Sequence, residues 1–248
     1  IAKINLKPLG DSETTSLKLV TDRWLKEINQ SKESKFFTLL HYDPPINEVN
    51  PTESSEINNR FLRNNDVSHN LEVLRYTQSI REVDKEIGRL IKTIKERDLL
   101  KNTILILTSD HGYELDDYQE NYYGHSSNYS PAQTKVPLRI IWPSKASKKY
   151  SFRSSHHDIA PTLMKEVLGC SNDYSDYSTG NSLFDQKPWS YLIAGSYDSF
   201  SILTDKKTIT SYGAYFEVRD ENYNLTKIED SDYKDLEDAI SDMSEYYK

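Results

Sequence analysis

The chain has 248 residues, 36% of them hydrophobic and 28% charged, a composition of one large globular domain or two small ones rather than of a disordered chain. Its formal charge of −8, from 39 acidic and 31 basic residues, excludes the broad basic footprint of a nucleic-acid binder. No run reaches the roughly 18 apolar residues of a membrane span, and no signal peptide opens the sequence. It begins with Ile1 rather than Met, as a fragment or processed product would, so targeting stays open. The single cysteine, Cys170, excludes an internal disulfide and reads as a small buried or helix-end residue.

In chain order, "SLKLVTDRWLKEIN" has apolar residues at helical spacing, with Ser16 as its expected N-cap. "KFFTLLHYD" is a short apolar run stopped by Pro44 and Pro45, which predicts a buried strand emerging into a loop, with His41 a structural residue at its end. "INEVNPTESSEINNRFLRNND" is polar and aperiodic, a long surface excursion. From about Ser68 to Leu99, Ile80, Val83, Ile87, Leu90, Ile91 and Ile94 recur at three- and four-residue steps, the pattern of an amphipathic helix.

Next come a buried strand, "NTILILT", a polar turn, and a second buried strand, "KVPLRIIWP". "HDIAPTLMKEVLG" predicts a helix capped by Asp158 and ended by Gly169. This alternation of strands and helices predicts an α/β layered sheet. Beyond Trp189, "SYLIAG", "FSILTD", "KTITSY", "AYFEVRD" and "YNLTKIED" predict a short antiparallel strand region, followed by a charged helix from about Tyr233.

Chemistry concentrates in "ILILTSDHGYELDDYQENYYGHSSNYS". Ligands of open α/β sheets gather at the carboxyl ends of strands, where Asp110 and His111 fall. A carboxylate and an imidazole suit a borderline cation such as zinc, and His125, behind Gly124, would add a third ligand. Glu114, Asp116, Asp117 and Glu120 would deepen the negative potential. The same residues also describe an ordinary turn in which Asp bonds its own backbone. His156 and His157, before Asp158, read as polar loop contacts. Lys145, Lys148, Lys149 and Arg153 form a basic run with no acid between them. It reads either as a solvated loop or as a seat for an anionic head group, such as that of a lipid.

Four features occur in order: Ser-Asp-His-Gly, a downstream Gly-His, a "VPL" strand ending in Trp-Pro, and "DIAPTL". In this the chain resembles the alkaline phosphatase superfamily, in its sulfatase and phosphoethanolamine-transferase branch. With "SNDYSDYSTGNSLFD" added, it is similar to the sulfatase-like periplasmic domain of YejM-type inner-membrane proteins. The motifs run from about Phe36 to Asp185.

The resemblance implies an alkaline-phosphatase/sulfatase-like α/β/α fold, with residues 1–248 forming the C-terminal portion of one such domain. It implies a divalent metal (zinc, magnesium, manganese or calcium) held by Asp110 and His111, with His125 a second metal or substrate ligand. The reaction implied is metal-dependent hydrolysis or transfer of a phosphate or sulfate ester. The family nucleophile lies upstream of anything matched here, so the isolated chain is expected to show no turnover. Ser12, Thr14 and Thr15 are no substitute, and Ile46 stands where relatives often carry a His. The alternative implied function is a lipid-sensing regulatory domain controlling lipopolysaccharide synthesis and outer-membrane lipid balance. Its partners would then be a lipid head group and a regulatory protein. By the same resemblance, the full-length protein is membrane-anchored on the periplasmic side of a bacterial inner membrane.

Overall fold

The computed structural model describes residues 17–30, 35–44, 62–126 and 128–245. Ser12, Thr14, Thr15, Ser16 and residues 46–61 of the polar excursion, Ile46 among them, lie outside the described residues. The chain divides into two compact units, one of Ile1–Ile106 with Ile140–Ser144, the other of Leu107–Arg139 with Lys145–Lys248.

In the first unit, helix α1 (Leu17–Gln30) and helix α2 (Val67–Glu96) meet through Trp24, Leu90 and Ile94. Leu25, Ile28 and Ile91 pack against that cluster. The periodicity of α2 therefore predicts its inward stripe in part, since Leu90 and Ile94 are buried while Ile80 is 46% exposed. Asp66 caps α2, its Oδ1 accepting from the His69 N–H. Glu86 is buried mid-helix and pairs with Arg89 at 2.6 Å; Arg89 also reaches Asp22 of α1.

The strand expected at "KFFTLLHYD" does not form. Residues 35–44 join no ladder, and Phe37 and Leu39 are 69% and 80% exposed. A strand needs a neighbour for its N–H and C=O groups, and none of the described strands pairs with this run. Leu40 packs against the Trp24 cluster, and the Phe36 ring meets Trp24 edge-on at 6.4 Å.

Strands β1 (Leu105–Thr108) and β4 (Leu138–Ile141) pair as a two-stranded sheet. Between them the acidic segment folds back on itself through β2 (Glu114–Leu115) and β3 (Tyr123–Gly124), with Glu114 opposite Gly124. A single helical turn, α3 (Pro131–Thr134), follows.

Helix α4 (Ile159–Glu166) is shorter than expected, because the chain reaches the left-handed region only at Gly169 after a loosened last turn. Asp158 precedes α4, yet its side chain makes no capping bond to that helix. It closes a capping box with Ser155 instead, then takes the Asn181 N–H and the Trp189 indole N–H.

The C-terminal antiparallel expectation holds for four strands: β5 (Tyr191–Gly195), β6 (Phe200–Thr204), β7 (Lys207–Ser211) and β8 (Phe216–Asp220), in sheet order β5-β6-β7-β8. "YNLTKIED" adds no fifth strand, contributing one isolated bridge between Leu225 and Arg219. Ile202 faces Ile209 across β6 and β7, both wholly buried. Helix α5 (Tyr233–Glu245) covers them with Leu236 and Ala239. The class is the mixed α/β expected from the alternation of elements.

Candidate metal centre

The β1 strand delivers its last residue, Thr108, to a tight polar turn. The Ser109 hydroxyl donates to the His111 carbonyl at 2.7 Å, and the Asp110 Oδ1 accepts the His111 N–H at 2.9 Å. Partial burial would raise the Asp110 pKa. Hydrogen bonds from the His111 N–H and the Ser109 hydroxyl, together with the adjacent His111 side chain, outweigh it and hold the carboxyl below its ordinary value. Asp110 therefore presents an anion, with Oδ2 lying 3.7 Å from the His111 Nε2.

The other ring nitrogen of His111 contacts the Gly112 carbonyl at 2.8 Å. A carbonyl can only accept, so in the neutral ring Nδ1 carries the proton and Nε2 keeps its lone pair. Two ligand atoms at zinc distances of about 2.0–2.2 Å from one ion sit no more than about 4.4 Å apart. Asp110 and His111 meet that limit.

His125 arrives from the far side of the β2–β3 fold. Its ring stacks on that of His111, centroids 4.1 Å apart at 26°. Ring lone pairs lie in the ring plane, so two stacked imidazoles point alongside each other rather than at one point. His125 would have to turn about its side-chain bonds to share an ion with His111. Among the described residues, no group of three or more His, Cys, Asp or Glu is gathered as an ion cage. The donor chemistry fits a divalent metal, and two of the three expected ligands are already in chelating reach.

Two of the four acidic residues between the histidines turn inward, while Asp117 and Glu120 stay exposed. Glu114 and Asp116 are buried, at 0% and 5% exposure. Asp116 accepts the Asn121 N–H at 2.6 Å, and Asp117 that of Leu115 at 2.8 Å, while Glu120 pairs with Arg219. They shape the turn more than they project a negative field. The Glu114 Oε2 accepts from the Ser130 hydroxyl at 2.6 Å and the Gln133 amide at 2.8 Å; its Oε1 is buried without a partner, which costs on the order of 1–3 kcal/mol.

His156 and His157 behave as loop contacts. His156 Nε2 donates to the Ser109 carbonyl at 2.8 Å, next to Asp110 in sequence, and His157 Nδ1 lies 2.5 Å from the Thr179 hydroxyl. The basic run separates. Lys145 pairs with Glu166 at 2.8 Å and covers the Phe184 ring, and Lys148 lies over Tyr150. Lys149 is exposed. Arg153 donates to the Leu203 and Thr204 carbonyls and pairs with Asp205 at 2.7 Å. There Arg153 joins the wall of a cavity of about 520 Å3 that also takes in Thr108, His156, Lys135, Leu203 and Lys206.

Sequence reasoning singled out Asp110, His111 and His125 through the motif, and the fold brings these three side chains close together. That reasoning missed Gln133 and Ser130, which carry the hydrogen bonds behind them. The only sequence signal was Ser-Pro before the "VPL" strand, the start of a helical turn.

The chain matches the Sulfatase family over residues 3–169. It is 28% identical over 138 residues to the inner membrane protein YejM of Salmonella typhimurium, covering 55% of this chain and 23% of that protein. It is 37% identical over 84 residues to the dog (Canis lupus familiaris) arylsulfatase K, covering 34% of this chain and 15% of that protein. Among solved structures, it is similar to a phosphonate monoester hydrolase from Silicibacter pomeroyi, with a TM-score of 0.58 at 18% identity over 72% of this chain and 41% of that one. It is similar also to an alkaline phosphatase superfamily protein from Vibrio parahaemolyticus, with a TM-score of 0.57 at 19% identity over 93% of this chain and 54% of that one. The chain spans about a quarter of the length of YejM. The match to the Sulfatase family covers more than half of the sequence and agrees with the fold likeness, so the chain belongs to the Sulfatase family.

Proposed function

We propose that the turn after β1 is the metal-holding part of an ester-cleaving site, acting on a phosphate or sulfate ester by hydrolysis or transfer in the intact domain. The observation that carries this is the Asp110 Oδ2 and His111 Nε2 pair, 3.7 Å apart with the His111 tautomer set by Gly112. Asp110 and His111 would hold the ion, and His125 would turn from its stacked position to a second ligand or to an oxygen of the ester group. A divalent ion there, zinc or magnesium, manganese or calcium, supplies Lewis-acid stabilisation of charge on the group being transferred. The residues themselves keep Asp110 ionised, keep the Nε2 lone pair available, and place both at the open end of the strand. By the family resemblance the nucleophile comes from a segment upstream of these motifs. The cavity beside Thr108 and His156 is mixed in charge, with Lys135 and Lys206 in its wall beside Asp205, Asp220 and Glu221, and Arg153 there already pairs with Asp205.

Calorimetric titration of the purified chain with zinc chloride and manganese chloride tests the assignment. Binding is expected in the unsubstituted chain, and Asp110→Asn or His111→Ala should weaken it by more than the 10–100-fold that losing an outer contact costs. Absence of binding, or binding indifferent to both substitutions, would overturn it.

The likeness to an inner membrane protein favours a second reading, a lipid-sensing regulatory domain on the periplasmic face of that membrane that controls lipopolysaccharide synthesis. No helix among the described residues is long and apolar enough to cross a membrane. In that reading Lys148 and Lys149 meet the head group, since Lys145 and Arg153 are engaged within the protein. Binding to anionic vesicles that survives Asp110→Asn but fails on neutralising Lys148 and Lys149 would favour it over the enzyme.

A further inference from the structure

His111 and His125 stand on segments far apart along the loop, yet their rings stack at 4.1 Å. Little of that contact is set by the rings themselves, because both are exposed. Behind them, Gln133 is 4% exposed and makes five hydrogen bonds, its backbone N–H donating to the Ser130 carbonyl at 2.9 Å. Its carbonyl accepts the Gly112 N–H at 2.7 Å, which fixes the segment carrying His111. Its Oε1 accepts the Ser126 N–H at 2.9 Å, which fixes the segment carrying His125. Its Nε2 donates to the Glu114 Oε2 at 2.8 Å and the Asn128 Oδ1 at 2.6 Å.

Two further contacts extend this chain of bonds to His125, one at its ring and one at its backbone. The Ser126 hydroxyl lies 2.8 Å from the His125 Nδ1, and the Tyr122 hydroxyl donates to the His125 carbonyl. The fit is close on the other side too: a Cβ at Gly112 would lie 2.0 Å from the Ala132 carbonyl oxygen, so only glycine lets the His111 segment approach α3. A wholly buried carboxylate, Glu114, orients the Gln133 amide so that its oxygen rather than its nitrogen faces Ser126.

We propose that Gln133, oriented by Glu114, is a positioning residue that sets the spacing of His111 and His125. It acts through Gly112 and Ser126 and touches no ligand itself. As a statement about metal affinity this rests on the metal-site reading above; as a statement about the two rings it does not.

The test uses the whole chain with two readouts. The first is zinc affinity by calorimetry with zinc chloride. The second is the ring C–H shifts of His111 and His125 in the metal-free chain, which carry the ring-current signature of stacking. Gln133→Met, which keeps the volume, should weaken zinc binding about 10–100-fold and abolish the stacking signature. Glu114→Gln should rescue, staying within about threefold of the unsubstituted chain, because one amide oxygen can take both bonds that Oε2 now accepts. A merely structural role would not separate these two variants at equal thermal stability. Unchanged affinity and unchanged shifts in Gln133→Met would overturn the proposal. If the unsubstituted chain binds no zinc, the metal reading fails alone, and loss or persistence of the stacking signature in Gln133→Met still decides this one. If Gln133→Met does not fold, Ser130→Ala carries the test: it removes one anchor of Glu114, and a weakened affinity with moved His125 signals supports the proposal, whereas neither change overturns it.

Discussion

Asp158 shows how one side chain can do more than its sequence position suggests. It was expected to cap α4, and its neighbours in sequence allow that. In the fold it is 2% exposed and its two oxygens serve Ser155, Asn181 and Trp189. Hydrogen bonds to a carboxylate each contribute about 1.5–3 kcal/mol, and removing it leaves three part-buried donors without their acceptor. Asp158→Ala is therefore expected to lower unfolding free energy by about 3–5 kcal/mol, read from urea denaturation, with Asp158→Asn costing less because it keeps one acceptor. A loss below about 1 kcal/mol for the alanine variant would mean that these contacts are incidental. The contacts were invisible beforehand because Asn181 and Trp189 stand in no periodic relation to Asp158. The same reason hid Gln133, whereas Asp110 and His111 were legible because they are adjacent and follow an apolar strand.

At the scale of elements, the β5–β8 sheet and α5 form a core whose parts can be weighed separately. Ile202 and Ile209 are both 0% exposed and face each other in register. Truncation of Ile202 to Ala should cost about 2–5 kcal/mol, and Ala239→Leu, which overpacks the wholly buried contact from α5, about 1–3 kcal/mol.

The edge of this core carries a charge cluster in which Lys207 pairs with Asp232 at 2.6 Å and Glu229 at 3.1 Å. Burial opposes ionisation of Asp232, but the bond from Lys207 outweighs it, so the carboxyl is held below its ordinary value of 3.8. The bond to Asp232 likewise raises the Lys207 ammonium. A lowered carboxyl stabilises the fold above the unfolded value and loses that contribution as pH falls through the folded one. The difference in urea midpoint between the unsubstituted chain and Asp232→Asn should thus be full at neutral pH and vanish below the carboxylate range. A gap that persists there would show that packing, rather than charge, accounts for it.

For the whole molecule, an ion held at Asp110 and His111 couples to stability by mass action. At one hundred times its dissociation constant it adds about 2.7 kcal/mol, a rise of roughly 5–10 °C in the melting of the unit that contains residues 107–139. Differential scanning calorimetry with and without zinc chloride should show that rise, and Asp110→Asn should remove it; an equal rise in the variant would place the ion elsewhere. By itself the sequence determined what depends on neighbours along the chain: α2 from its apolar period, four of the five C-terminal strands, and the Ser-Asp-His-Gly turn that opens the site. Only the tertiary structure decided which groups meet across the chain. It stacked His125 on His111, put Gln133 and Glu114 behind them, drew Arg153 into β6 and left Phe37 and Leu39 uncovered. The physical reason is that hydrogen bonds and ring contacts are local in space, and only helices and strands translate sequence spacing into spatial spacing.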